Sequence, residues 1–173
     1  MHSILVERIG GDEKSPLFIL NRLKDKVAQL IADAIKGTDI FLVQLKVNAN
    51  NDINVLLDSD SILTLKDCRR VSRAIEFNLD REEEDFSLTT SSSGVGEPLV
   101  LRQFAKNIGR KVRLTLKSDE VIEAKMIGSS DESVSLEWKT REKKITGKGK
   151  ITIVHHRTIN HKDINQTVVL ITF

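Results

Sequence analysis

Phe86-Ser-Leu-Thr-Thr-Ser-Ser-Ser-Gly-Val-Gly-Glu-Pro-Leu-Val-Leu101 decides how the chain divides. The stretch opens with the apolar alternation of a strand at Phe86 and Leu88. It then runs through small polar residues and two glycines, and leaves through Pro98 into apolar residues. Small residues and glycines let a backbone adopt positive φ or approach another surface closely. Pro98 keeps Glu97 out of the helical region, so no single helix crosses the stretch. Nothing in it has the layout of a catalytic site. Pattern and charge differ on its two sides, which marks a junction between two domains.

The charge difference is easily overlooked, because the whole chain carries a formal net charge of only +2. Residues 1–85 hold 12 Lys/Arg against 16 Asp/Glu, a balance of −4, and residues 86–173 hold the other 15 against 9, a balance of +6. An acidic half joined to a basic half fits two different partner surfaces, such as a basic protein and a phosphate backbone. Unequal solvated surfaces with no partner account for the same numbers.

Upstream of the junction, Gly10 to Pro16 reads as part of a flexible lead-in over 1–16. Leu20, Leu23, Val27, Leu30, Ile31 and Ala34 then make the stripe of an amphipathic helix that stops at Gly37. Phe41, Val43, Leu45 and Val47 alternate with Leu42, Gln44, Lys46 and Asn48 as a half-buried strand. Asn48 to Asp52 is a turn, and Ile53 to Leu57 is the returning strand of a hairpin. Thr64 stands three residues before Asp67, the spacing of a capping box. The helix that follows places Leu65, Cys68, Val71, Ile75 and Leu79 on one face and Lys66, Arg69, Arg70 and Arg73 on the other. Glu82, Glu83, Glu84 and Asp85 form a compact acidic patch. With the strand from Phe86, this half is α-β-β-α-β: a three-stranded sheet backed by two helices.

Downstream the period changes. A short helical stretch through Arg102, Phe104 and Ile108 ends at Gly109. Val112–Leu116, Val121–Ile127, Val134–Trp138, Ile151–Val154 and Val168–Phe173 are strand-like runs. Five short strands so close together suit a small closed or nearly closed barrel, which also hides its sheet edges. Asp163 and Ile164 fit the short turn into the last strand. Between the third and fourth strands lies Lys139-Thr-Arg-Glu-Lys-Lys-Ile-Thr-Gly-Lys-Gly-Lys150, with six cations in twelve residues. Read as a long cationic loop, its Lys139, Arg141, Lys143, Lys144, Lys148 and Lys150 can neutralise phosphates and release counterions. A solvated hairpin tip has the same composition, and the only aromatic residue at its edge is Trp138.

Other chemistries find no support. A hydrophobic content of 39% and a charged content of 30% fit a soluble folded protein. No apolar run is long enough to cross a membrane, and the start lacks the pattern of a signal peptide. The single cysteine, Cys68, excludes an intrachain disulfide and fits a reducing cytoplasm. Gly94-Val-Gly-Glu-Pro lacks the third glycine of a phosphate cradle, and proline blocks the helix that should follow. Ser91 to Ser93 has no nucleophile elbow around it. The metal-ligand candidates His2, Cys68, His155, His156 and His161 are scattered, and adjacent His155 and His156 point to opposite faces of a strand. The reading is of a binding protein without catalysis, cofactor or metal.

The second helix and the junction carry a resemblance. Leu65-Lys-Asp-Cys-Arg-Arg-Val-Ser-Arg-Ala-Ile-Glu76, then Leu79-Asp80, then Glu84-Asp85-Phe-Ser-Leu88 resemble the RimP family of ribosome maturation factors. In that family a DDC…SR.IE..LD helix leads into a Y.LEVSSPG..RPL strand and linker. The likeness continues through Phe104 and Asn107-Ile-Gly109 and covers roughly Ile31 to Phe173. Ser91, Ser92, Gly94, Pro98 and Leu99 keep their places. Thr89-Thr90 stand for Glu-Val, Ser93 for proline and Glu97 for arginine. The loss of proline at 93 should leave the linker less stiff.

The resemblance implies an α+β chain with an N-terminal α/β domain over 17–90 and a linker over 91–99 that includes Ser91, Ser92, Gly94, Gly96 and Pro98. A small β-barrel of the Sm-like, SH3 type would follow over 100–173. It further implies a monomeric, cytoplasmic, non-catalytic factor that binds the immature 30S subunit and assists its late assembly. The implied partners are the very basic small-subunit ribosomal protein twelve and 16S rRNA. On the charge split, the acidic run Glu82–Asp85 would meet the protein and the cations of 139–150 the RNA. The alternative is a free-standing Sm-type module acting on mRNA or small RNA.

Overall fold

The computed structural model describes residues 16–80 and 85–171. The backbone forms two compact units whose boundary falls between Ser93 and Gly94, inside the junction. Residues 1–15, most of the expected lead-in, lie outside the described residues, as do 81–84, 172 and 173.

The first unit runs α1 (Pro16–Ile35), β1 (Ile40–Val47), β2 (Asp52–Ser59), α2 (Leu65–Glu76) and β3 (Ser87–Ser92). Proline at the first helical position costs no hydrogen bond, because that N–H has no partner within a helix. α1 buries Leu23, Val27 and Ile31 against Ile53, Val55 and Leu57 of β2 and Val71 and Ile75 of α2. β2 is central, antiparallel to β1 and parallel to β3. The β1–β2 turn is tied by Asn48 Oδ1, which accepts from the backbone N–H groups of Asn50 and Asp52, each at 2.9 Å. At α2 the capping box forms: Thr64 Oγ1 accepts from Asp67 N, and Thr64 N donates to Asp67 Oδ2 at 3.1 Å. Hydrogen bonding from the Thr64 hydroxyl, aided by its backbone N–H, holds the Asp67 carboxyl below its ordinary pKa.

Two sequence expectations are corrected here. The single alternation expected along β1 is broken by a register shift between Leu42 and Gln44. Ile40 and Leu42 therefore face the core before the bulge, Leu45 and Val47 after it, and Phe41 is buried outside that cluster. On α2, Cys68, Val71 and Ile75 are buried and Leu79 packs just beyond the helix, but Leu65 is 79% exposed. Leu65 is the first residue of the helix, three residues before Cys68, where the buried surface begins.

The second unit has five antiparallel strands: β4 (Lys111–Leu116), β5 (Val121–Ser129), β6 (Ser133–Lys143), β7 (Lys150–Asn160) and β8 (Ile164–Val169). Their order in the sheet is β7-β6-β5-β4-β8. A 3₁₀ turn at His161–Asp163 joins the two outermost strands, where the short turn was expected. Val112, Leu114, Ile122, Ala124, Met126, Val134, Leu136 and Ile159 project from alternate positions into one core, closed by Phe104. The outer edge of β8 is occupied by the chain itself: Leu99 N donates to Thr167 O at 2.8 Å, and Pro98 bridges Val168. This is the small barrel-like sheet that the five strand runs implied, and the chain as a whole is α+β.

Two further expectations shift. The helical stretch after Pro98 is two 3₁₀ turns, Leu101–Gln103 and Ala105–Asn107, too short to make an α-helix. The last strand occupies Ile164–Val169, starting before the expected Val168 and ending ahead of Leu170 and Ile171, while 172 and 173 of the expected Val168–Phe173 lie outside the described residues. Asn165 and Gln166 face outward and disguise its start, while the apolar run at the terminus exaggerates its end.

Thr90 stands on β3 where the resembled family carries valine, and its Oγ1 is buried without a hydrogen-bond partner. A stranded hydroxyl of this kind costs about 1–3 kcal/mol. Thr90→Val keeps the shape and removes that cost, so urea unfolding should show a gain of roughly 1 kcal/mol. In the second unit, Leu136→Ala should lose about 2–5 kcal/mol, because Leu136 is fully buried.

Candidate nucleic-acid interface

The expected cationic loop is mostly strand. β6 and β7 pair without slippage from Ser133↔Asn160 to Lys143↔Lys150, which leaves only Lys144 to Gly149 as the tip. The tip closes through Lys144 N donating to Gly149 O at 3.1 Å. Gly149 has φ +123°, a conformation other residues adopt only under strain. The core ends near Trp138, so the five pairs beyond Trp138↔His155 project as a two-stranded ribbon about 17 Å long.

Strand alternation sorts this ribbon. Lys139, Arg141 and Lys143 share a face, and their register partners on that face are Val154, Thr152 and Lys150. Lys144 and Lys148 flank the tip, and Ile145 there is fully exposed. Among the described residues none of the six cations is ion-paired. Three cations elsewhere on the same sheet, Lys111, Arg113 and Arg157, have carboxylate partners. Arg113 lies 2.7 Å and Lys111 3.6 Å from Glu123, and the hydrogen bond from Arg113 holds the Glu123 carboxyl below its ordinary pKa. Arg157 Nη1 is 2.7 Å from Glu120 Oε1 across an open groove whose walls include Lys117, Asn160 and Asp163.

The other candidates are dispersed. Asp85 is exposed and its carbonyl accepts from Asn51 Nδ2 at 3.2 Å, but Glu82, Glu83 and Glu84 lie outside the described residues. Ser91 and Ser92 are β3 residues opposite Leu56 and Leu57, and Ser93 N donates to Leu57 O. Gly94, Gly96 and Pro98 lie between this anchor and the one at Leu99. Gly94 O accepts from Glu97 N at 3.4 Å, and Gly96 has φ +100° as the third residue of that turn. Lys66, Arg69, Arg70 and Arg73 are exposed on α2, with Arg70 3.9 Å from Asp67. Burial, with the Asp67 charge beside it, pushes the Cys68 thiol pKa up, the opposite of what a nucleophile needs. Among the described residues no three potential metal ligands converge, and no helix is long and apolar enough to cross a membrane.

Sequence reasoning missed one arrangement. His155 stacks on Trp138 with ring centroids 5.3 Å apart and planes 14° from parallel, and its Nε2 is 2.7 Å from Thr140 Oγ1. His156, on the opposite face, lies 3.9 Å from Glu137. The signal was present, since a β6–β7 register pairing 138 with 155 follows once the loop is shortened.

Comparison with known proteins completes the description. The profile of the RimP N-terminal domain matches residues 30–96. The ribosome maturation factor RimP of Christiangramia forsetii is 42% identical over 153 residues, covering 87% of this chain and 99% of its own length. That of Flavobacterium psychrophilum is 41% identical over 152 residues, covering 87% and 98%. The chain belongs to the RimP family. A more distant relative, the RimP of Porphyromonas gingivalis, is 29% identical over 149 residues. The RimP N-terminal profile stops at Gly96, just past the boundary between the two units, whereas the aligned relatives extend over both.

If the ribbon binds a phosphate backbone, its affinity must depend on salt through the number of phosphates neutralised. Replacing Lys143, Lys144, Lys148 and Lys150 with glutamine should reduce the slope of log affinity against log salt by as much as about 3. An unaltered slope, measured by anisotropy on labelled RNA, removes the ribbon from the interface.

Proposed function

We propose that this chain is a non-catalytic assembly factor that binds the immature 30S subunit in the cytoplasm and assists its late maturation. Family membership supplies the ribosomal setting. The observation that carries the proposal for this molecule is the projecting ribbon, with six cations that have no acidic partner among the described residues. An unpaired cationic surface held on a rigid ladder is arranged to meet an external anion, and 16S rRNA is the anion the family's setting provides. Its work is binding and positioning, with no bond made or broken.

The acidic half gives the complementary role. Glu82, Glu83, Glu84 and Asp85 are the surface on which a very basic protein, small-subunit ribosomal protein twelve, would be held, while the ribbon engages RNA. The residues of the linker, Ser91, Ser92, Gly94, Gly96 and Pro98, connect the two activities.

The ring-forming Sm-type alternative is less well supported. Copies that assemble edge to edge need both outer strands of the sheet free. Here β8 already accepts Pro98 and Leu99 of its own chain. That occupancy supports a monomer over an edge-to-edge ring.

Sucrose-gradient sedimentation tests the class. The factor should co-sediment with 30S and not with 70S ribosomes, and cells lacking it should accumulate 16S precursor and free 30S. Migration with 70S ribosomes, or an unchanged ribosome profile, would overturn the proposal. For the protein surface, changing Glu82, Glu83 and Glu84 to lysine should weaken pull-down of the basic ribosomal protein at physiological salt. Equal recovery eliminates that patch.

A further inference from the structure

Lys139, Arg141, Lys143 and Lys150 occupy one face of the ribbon, and the opposite face has a different chemistry. Register and alternation place Leu136, Trp138, Thr140 and Glu142 of β6 beside Arg157, His155, Ile153 and Ile151 of β7. Leu136 is fully buried, and Trp138 is partly buried against the same core cluster. Beyond it the face continues into solvent with Thr140, Ile153 and Ile151, the last 39% exposed. The stacked Trp138–His155 pair therefore sits where the hydrophobic core ends and the ribbon begins.

Two features make this pair more than a lid on the core. The contact between Thr140 Oγ1 and His155 Nε2, 2.7 Å long, fixes the imidazole plane parallel to the indole. β7 is also an outermost strand of the sheet, so the His155 side of the stack faces an open edge. Through the thickness of the ribbon lie Lys139 and Arg141, whose charges have no partner among the described residues. A flat, half-exposed pair of rings on a ribbon whose other face carries unpaired cations gives an unstacked base and its flanking phosphates a partner each on one narrow element.

We propose that Trp138 and His155 form a stacking platform for an unpaired nucleobase, so that the ribbon selects single-stranded over double-helical RNA. The proposal rests on the ribbon being the RNA-binding element. Cations alone hold duplex and single strand by their phosphates, whereas bases inside an A-form helix are stacked on one another and unavailable to a protein ring. Discrimination between the two forms must come from the platform.

Trp138 is the only tryptophan in the chain, so its emission reports this site directly. The full chain is titrated with a single-stranded oligoadenylate, an RNA duplex of equal length and inorganic polyphosphate, with binding followed independently by anisotropy competition. The single strand should quench Trp138 emission over the range in which it binds, and the other two should bind without quenching. His155→Ala should weaken single-strand binding by about 5- to 150-fold, the effect of losing one stacked base. His155→Phe should restore it, which separates a stacking role from damage to the fold. Single-strand binding with unchanged emission, or wild-type affinity in His155→Ala, would overturn the platform and leave the cationic interface standing. Failure of every polyanion to bind at low salt would overturn both. Quenching by purified small-subunit proteins but by no RNA would overturn the platform and assign the face to protein.

Discussion

The β6–β7 ladder is the constraint on which the second unit's surface depends. Its pairing holds without a bulge from Ser133↔Asn160 to Lys143↔Lys150, although β5–β6 beside it and β4–β8 at the far end of the sheet both slip. A slip of one residue would move every side chain to the opposite face. Because none occurs, the alternation set in the core by Val134 and Leu136 is carried unchanged into the projecting ribbon. Burial at one end of the strands thus fixes where the cations stand at the other. The register is secured by Val134 meeting Ile159, both buried, and by the Trp138–His155 stack where the core ends.

The two ends of the sheet are treated differently. β8 is capped by Pro98 and Leu99, at the end of the junction, so the chain entering the second unit also covers one of its edges. β7 keeps its outer edge, and it is the strand that carries Lys150, His155, His156 and Arg157. Of these, Lys150 has no carboxylate partner among the described residues, whereas Arg157 is paired with Glu120; a lysine on an open edge opposes pairing with another strand.

Much of this was legible in the sequence, for identifiable reasons. α1 and α2 announced themselves through buried stripes at Leu23, Val27 and Ile31 and at Cys68, Val71 and Ile75, and Thr64 and Asp67 marked a start that the structure keeps. The strands of both units were visible wherever one face is buried. Legibility failed where the pattern loses that burial. Lys139 to Lys143 face water on one side and a thin apolar margin on the other, so their alternation reads as a polar loop. The β1 bulge escaped because Phe41, Leu42 and Val43 are all apolar, which hides the residue at which the faces exchange. The last strand was misplaced for a similar reason, since outward-facing Asn165 and Gln166 resemble a turn.

The candidate site shows the same limit. Composition identified the six cations, because charge density survives any error in secondary structure. It could not find the Trp138–His155 pair, which are 17 positions apart and meet only through an extended register. Nor could it tell paired cations from unpaired ones. Arg157 resembles Arg141 in sequence, yet Glu120 neutralises the first, while the second makes no ion pair among the described residues, even with adjacent Glu142. That distinction depends on which carboxylates lie across the sheet. Glu123 of β5 reaches Arg113 and Lys111 of β4, and Glu120, in the β4–β5 turn, reaches Arg157 of β7. Beyond Trp138 β6 has left its β5 partner, so β5 supplies no carboxylate. By outrunning the sheet, the ribbon also outruns the charges that would have neutralised it.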